Sequence, residues 1–371
     1  MEKIEIDTNR LKSELLKVKE YYEGNPNSDD IKNDYLNFRA LANRYSTLTH
    51  ESILGDVTYD VMLFDFIKAD YIHNSSRIFC SYLNRYIDFV NAFLIGYSYM
   101  TKKIGLINTK GKPLDKVYSL KEFKEILLDY YSSIGEFEYN VAKKYFQEGR
   151  IQAGNKNTEV LGSFLGLIHE KCGYIFTGSD KLDSSLLSTL AHELGHAIDY
   201  EKYYFPDNKM KDSFTDLFAE VPSTYHEIGI LKFLKENDID EIGARLLFQN
   251  IYNFILRMSK RISRVASDVS RYGEINVKDD GTLKLNDGTD INIRADMKYS
   301  ISNYLALFLL DKDRDTKETV KIIDEALSKR YESTIYDFLK NVNVQSNDLM
   351  CAKGLESDII ENNNILKKKY M

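Results

Sequence analysis

"LSTLAHELGHAID", residues 187–199, is the stretch on which the fold turns. It sets two of the chain's six histidines, His192 and His196, four residues apart, with Glu193 beside the first. Side chains four apart on an α-helix leave the same face one turn from each other. Asp183 or Ser184 can cap such a helix, which the pattern carries to about Tyr200. Leu186, Leu187, Leu190, Leu194, Ala197 and Ile198 form its apolar stripe, while Ser188, His192, His196 and Asp199 fall on another. Two imidazole nitrogens then stand where one zinc ion can take both. Glu193 is turned about 100° from His192 by helix geometry. That suits a general base working on water better than a metal ligand, as in the H-E-x-x-H arrangement. Gly195 costs the helix about 1 kcal/mol against alanine, which points to close approach of another backbone or of a substrate, or to a packing requirement.

A catalytic zinc takes three protein ligands and leaves one position open. The long metzincin pattern would need glycine at 199 and histidine at 202, but Asp199 and Lys202 stand there. The third ligand must come from elsewhere, and "SFTDLFAEVPSTYHE", residues 213–227, offers it. Glu220 lies 24 residues after His196, room for a helix end, a loop and a returning helix. Asp216, Glu220 and Glu227 share one helical face by the four- and seven-residue rule. Asp216, Glu227 and His226 are candidates for supporting the ligands rather than binding the ion.

Outward from this core, residues 7–103 read as amphipathic helices. "GLINTKGKPLD" at 105–115 reads as a loop and a lobe boundary. This divides the chain into a helical N-terminal lobe, 1–115, and a catalytic region, 116–371. Two short strands are expected at about 162–168 and 173–178, immediately before the histidine helix. "GEINVKDDGTLKLNDGTDINI" at 273–293 alternates by two and carries two Asp-Gly pairs, a β-meander signal. The remainder reads as helix.

Hydrophobic residues make up 43% and charged residues 29% of the 371, as in an ordinary soluble protein. A net charge of −7 argues against broad nucleic-acid binding. Cys80, Cys172 and Cys351 are widely spaced and odd in number, which suits a reducing compartment rather than a disulfide framework. The N-terminal residues lack a secretory apolar core, and the longest apolar run is too short and polar to span a bilayer. A cytoplasmic protein without membrane partners is expected.

"TLAHELGHAID" followed by "FAEVPST" resembles the zinc metallopeptidase family of thimet oligopeptidase and oligoendopeptidase F. Gly195 matches the glycine of that family's helix. "GSFLGLIHEKCGYIFTGSD" is similar to its strand-bearing lead-in, and "RYGEI" and "MKYSISNYLALFLL" to its later tyrosine-bearing segments. The likeness spans about 115–315. It implies a mainly α, zincin-like metallopeptidase with a small β-sheet beside the zinc helix and a deep cleft. It also implies one zinc ion per chain and hydrolysis of short, unstructured peptides. His192, His196 and Glu220 match the ligands, and Glu193 the base. Tyr299 matches a tyrosine that hydrogen-bonds the oxyanion. Gly173, Tyr174, Ile175 and Phe176 match a strand whose free edge would pair with an extended peptide. The family's histidine some ten residues before the tyrosine is missing, and Arg294 is the candidate to replace it. The N-terminal lobe is reduced, so a homo-oligomer or another partner could complete the cleft. The missing histidine keeps an alternative open, a catalytically weak or inactive peptide-binding or regulatory protein on the same fold.

Overall fold

The computed structural model describes residues 3–24, 31–54, 112–154, 161–167, 171–203, 220–272, 276–277, 282–310, 316–328 and 355–370, with single positions between. The chain is mainly α, with a small sheet directly before the histidine helix. It divides into two units, 1–68 with 117–209, and 69–116 with 210–371. That partition differs from a single cut near residue 115, because the first two helices share a core with the strands.

The first unit starts with α1 (Thr8–Gly24) and α2 (Ile31–Thr49). α3 (Leu120–Ile134) and α4 (Glu136–Gln147) follow. Next come β1 (Ile151–Gln152), β2 (Gly162–Leu167), β3 (Cys172–Thr177) and α5 (Ser184–Tyr203). Strand order is β1-β3-β2, with β1 parallel and β2 antiparallel to β3. Side chains alternate across a strand, and the two faces of this sheet go to different partners. Leu167, Tyr174 and Phe176 join Leu11, Leu15 and Val18 of α1 and Phe38, Leu41 and Tyr45 of α2 in one buried cluster. α5 packs on β2 and β3, with Gly162 and Gly166 facing its side chains.

A buried ionic network fastens α1 to the sheet. The Arg150 guanidinium holds both oxygens of Glu14 at 2.8 and 3.0 Å, and the Tyr174 hydroxyl donates to Glu14 at 2.7 Å. Burial, together with that bond to Glu14, raises the Tyr174 phenol well above its ordinary range. Burial likewise pushes the free Cys172 thiol up to about 12, so it stays protonated at neutral pH.

α3 opens on a full capping box. Ser119 accepts from the Glu122 backbone while the Glu122 carboxylate accepts from the Ser119 backbone. Its Tyr131, fully buried, donates from its hydroxyl to the Ala191 carbonyl at 2.9 Å. That bond pins α5 at the residue before His192.

The second unit packs α6 (Glu220–Glu236), α7 (Glu241–Tyr272) and α8 (Ile293–Leu309) against one another. α9 (Thr316–Ser328) follows, and α10 (Leu355–Tyr370) packs on α7. Between α7 and α8 runs the expected meander, an antiparallel sheet of β4 (Asn276–Val277), β5 (Leu283–Lys284) and β6 (Asp290–Ile291). Its second turn places Gly288 at φ 84°, the left-handed region that a glycine enters without strain. Asn292 caps α8 by accepting from the Ala295 backbone at 3.1 Å. No helix among the described residues is long and apolar enough to cross a membrane.

Candidate metal centre

α5 is positioned from both ends. Asp183 is its N-cap, accepting from the Ser185 and Leu186 backbone at 3.0 and 3.1 Å. A bridge from Val117 to Asp183 and a Tyr118–Ser184 hydrogen bond of 3.0 Å tie the same point to the segment before α3. Lys202 pairs with Glu138 and Lys144 with Glu201, each at 3.0 Å, so α4 holds the far end. The helix runs three residues past the expected Tyr200.

On this fixed helix, the His192 and His196 rings lie 4.9 Å apart between centroids at an interplanar angle of 79°. Both are half-buried, so each keeps a face toward solvent. Glu193, by contrast, is only 5% exposed. Its carboxylate lies along the first residue of β2, where a Cβ on Gly162 would fall 2.5 Å from its Oε1. Gly195 and Asp199 are buried on the same helix.

Glu220 opens α6 and is 2% exposed. Its carboxylate has two companions that the sequence did not suggest. Ser223 Oγ donates to Oε2 at 3.1 Å, and Lys298 Nζ pairs with Oε1 at 2.5 Å. Tyr299 follows Lys298 on α8 and is half-buried, its ring edge-on to Phe254 of α7 at 6.3 Å. The Lys298 ammonium also lies 5.4 Å from the centre of the Tyr299 ring. His226 is buried with its ring edge-on to Tyr225, and Glu227 is half-buried. Asp216 and the side chain of Arg294 lie outside the described residues.

The structure corrects the expectation for residues 173–176. β3 is the central strand, flanked by β1 on one side and β2 on the other, so it is not an edge strand. On the other side of β3, the Ile175 backbone donates to the Arg150 carbonyl at 2.9 Å, and the Gly173 backbone to the Tyr145 hydroxyl at 3.0 Å. Tyr174 and Phe176 turn into the core shared with α1 and α2. β1, only two residues long, was too short to leave a periodic signal, and it is the strand that closes β3.

Among the described residues, His192, His196 and Glu220 make a group that could hold one metal ion. Two imidazoles and one carboxylate are a donor set of the kind that divalent transition metals take.

No protein-family model and no curated protein sequence matches this chain. Among solved structures it is similar to a Bacillus anthracis str. Ames protein provisionally named oligoendopeptidase F. The identity is 13% and the TM-score 0.51, over 88% of this chain and 67% of that one. It is also similar to PZ peptidase A, solved with an inhibitor, at 14% identity and a TM-score of 0.46, over 94% of this chain and 67% of the other. The first likeness shows a common fold.

Proposed function

We propose that this chain is a zinc-dependent endopeptidase acting on short, unstructured peptides, with His192, His196 and Glu220 holding one zinc ion. The observation that carries this reading is the α5 arrangement. Two histidines stand one turn apart on one face, with a buried glutamate rotated off that face and set against a strand. The metal-capable group and the fold shared with a protein provisionally named oligoendopeptidase F support it.

When bound, zinc would supply Lewis-acid chemistry, making water more acidic and a peptide carbonyl more electrophilic. The protein groups supply the proton handling. Glu193 takes a proton from the attacking water and returns it to the leaving amine nitrogen. Its burial keeps bulk water from competing for that carboxylate. Tyr299 donates its phenol hydrogen to the oxyanion as charge develops there. The substrate is an unfolded peptide, and the working compartment is cytoplasmic, where a free buried thiol such as Cys172 stays reduced.

Glu193→Gln tests the assignment because it keeps the shape and removes the base. Zinc-loaded wild type and variant are incubated with a mixed peptide library, and the cuts are mapped by mass spectrometry. The variant should retain one zinc per chain and lose cleavage by at least about 100-fold. Cleavage at the wild-type rate would exclude Glu193 as the base.

A further inference from the structure

We propose that Gly162 is a positioning residue for Glu193, its missing side chain being the seat in which the carboxylate rests. The inference builds on the endopeptidase reading and concerns only α5 and β2.

Gly162 begins β2 and pairs with Thr177 of β3. Its backbone does not call for glycine, since the positive-φ glycines of the described chain are Gly149, Gly154 and Gly288. What position 162 lacks is space. A Cβ there would lie 2.5 Å from Glu193 Oε1, 3.0 Å from Glu193 Cγ and 2.8 Å from Thr189 Cγ2. All three are inside van der Waals contact. Thr189 cannot turn away freely, because its hydroxyl donates to the Ser185 carbonyl at 3.0 Å and fixes the rotamer. Strand and helix therefore come together at a point where only glycine leaves the carboxylate its place.

Gly166, two residues along the same face, makes a useful contrast. A Cβ there would strike the Tyr200 ring at 2.5–2.6 Å. A ring packed on Phe164 at 5.4 Å moves as a block, so substitution at 166 disturbs packing. At 162 the nearest obstacle is the far end of a flexible acid, which can swing aside once the fixed Thr189 methyl is removed. The swing would move the base rather than the fold. A misplacement of about 1 Å can lower a catalysed rate by about 100-fold.

The test uses the full zinc-loaded chain and a peptide that wild type cuts, taken from the mixed library. Gly162→Ala is paired with Thr189→Ser, which removes the competing methyl so that Glu193 alone meets the new Cβ. G162A/T189S should show kcat lowered about 100-fold, with KM, zinc affinity and the thermal midpoint all held at the values of T189S. In a Glu193→Ala background, where both Cγ and the carboxylate are gone, G162A should change the residual rate by less than about twofold, because the two groups no longer touch. A packing role would give equal losses in both backgrounds. Full activity in G162A/T189S overturns the Gly162 assignment, and so does a loss accompanied by weaker zinc binding or a lower midpoint. If wild type cuts no peptide, the endopeptidase reading falls and this one with it.

Discussion

Glu220 is a carboxylate almost out of water, and a charge in that position needs partners to be tolerated. Lys298 and Ser223 provide them, one on each oxygen. Removing one partner of a buried ion pair usually costs about 3–5 kcal/mol, because the other charge is stranded. Lys298 is about a quarter exposed while Glu220 is 3% exposed at its side chain, so water recovers part of that loss. Lys298→Met should destabilise the protein by about 2 kcal/mol, read from urea unfolding in the presence of EDTA. Lys298→Arg should lose much less. Adding Glu220→Gln to Lys298→Met should restore part of the stability, since no charge is then stranded. Equal losses in the single and double variants would mean that the ammonium contributes only packing. At this scale the sequence was readable where a residue carried a spacing. His192 and His196 did, and Glu220 sat within reach of them. Lys298 carried none, because its role depends on α8 packing beside α6, and no local pattern encodes that. Gly162 was invisible for the same reason: the register of β2 over α5 is what makes its missing methyl matter.

Periodicity served best for elements of six residues or more. The two expected strands fall within a residue of β2 and β3, and α5 has the face assigned to it. The meander between α7 and α8 followed from alternation and from the Asp287-Gly288 turn. Order within the first sheet was not readable. Apolar content marks β3 as buried but does not say whether strands lie on one side or two, and two-residue β1 decides it. Nor was the polar fastening of α1 to that sheet anticipated, since Glu14 and Arg150 stand 136 residues apart. That fastening should be expensive to break. Arg150 and Glu14 side chains are 4% and 7% exposed, so Arg150→Met leaves Glu14 and its Tyr174 bond with only the more exposed Arg10 guanidinium, 4.0 Å away. A loss of about 3–4 kcal/mol is expected in denaturant unfolding. Arg150→Met with Glu14→Leu should recover most of it, because a matched apolar pair replaces the network without stranding a charge. If the double variant is as unstable as the single one, the network holds the α1–sheet geometry by its hydrogen bonds rather than by compensating charge.

At the scale of the whole molecule, a metal that binds only the folded chain is also a folding term. One site stabilises by RT ln(1 + [L]/Kd), about 2.7 kcal/mol when free ion is a hundred times its dissociation constant. The chain carries a net charge of −7, so any divalent cation will relieve some self-repulsion, and that contribution must be separated from the site's own. Ligand chemistry separates them. Two imidazoles with one carboxylate favour zinc, whereas calcium needs six to eight oxygens. Protein stripped with EDTA and returned to micromolar zinc should therefore unfold a few degrees higher, while the same concentration of calcium should leave the midpoint where it was. His192→Ala with His196→Ala should abolish the zinc response and leave the EDTA midpoint close to that of wild type, because both rings are half-buried rather than core residues. A zinc response that survives the loss of both histidines would place the ion elsewhere on an acidic surface. A calcium response of equal size would reduce the effect to charge neutralisation. Either result would remove zinc from the α5 histidines and leave Glu193 with no metal beside it.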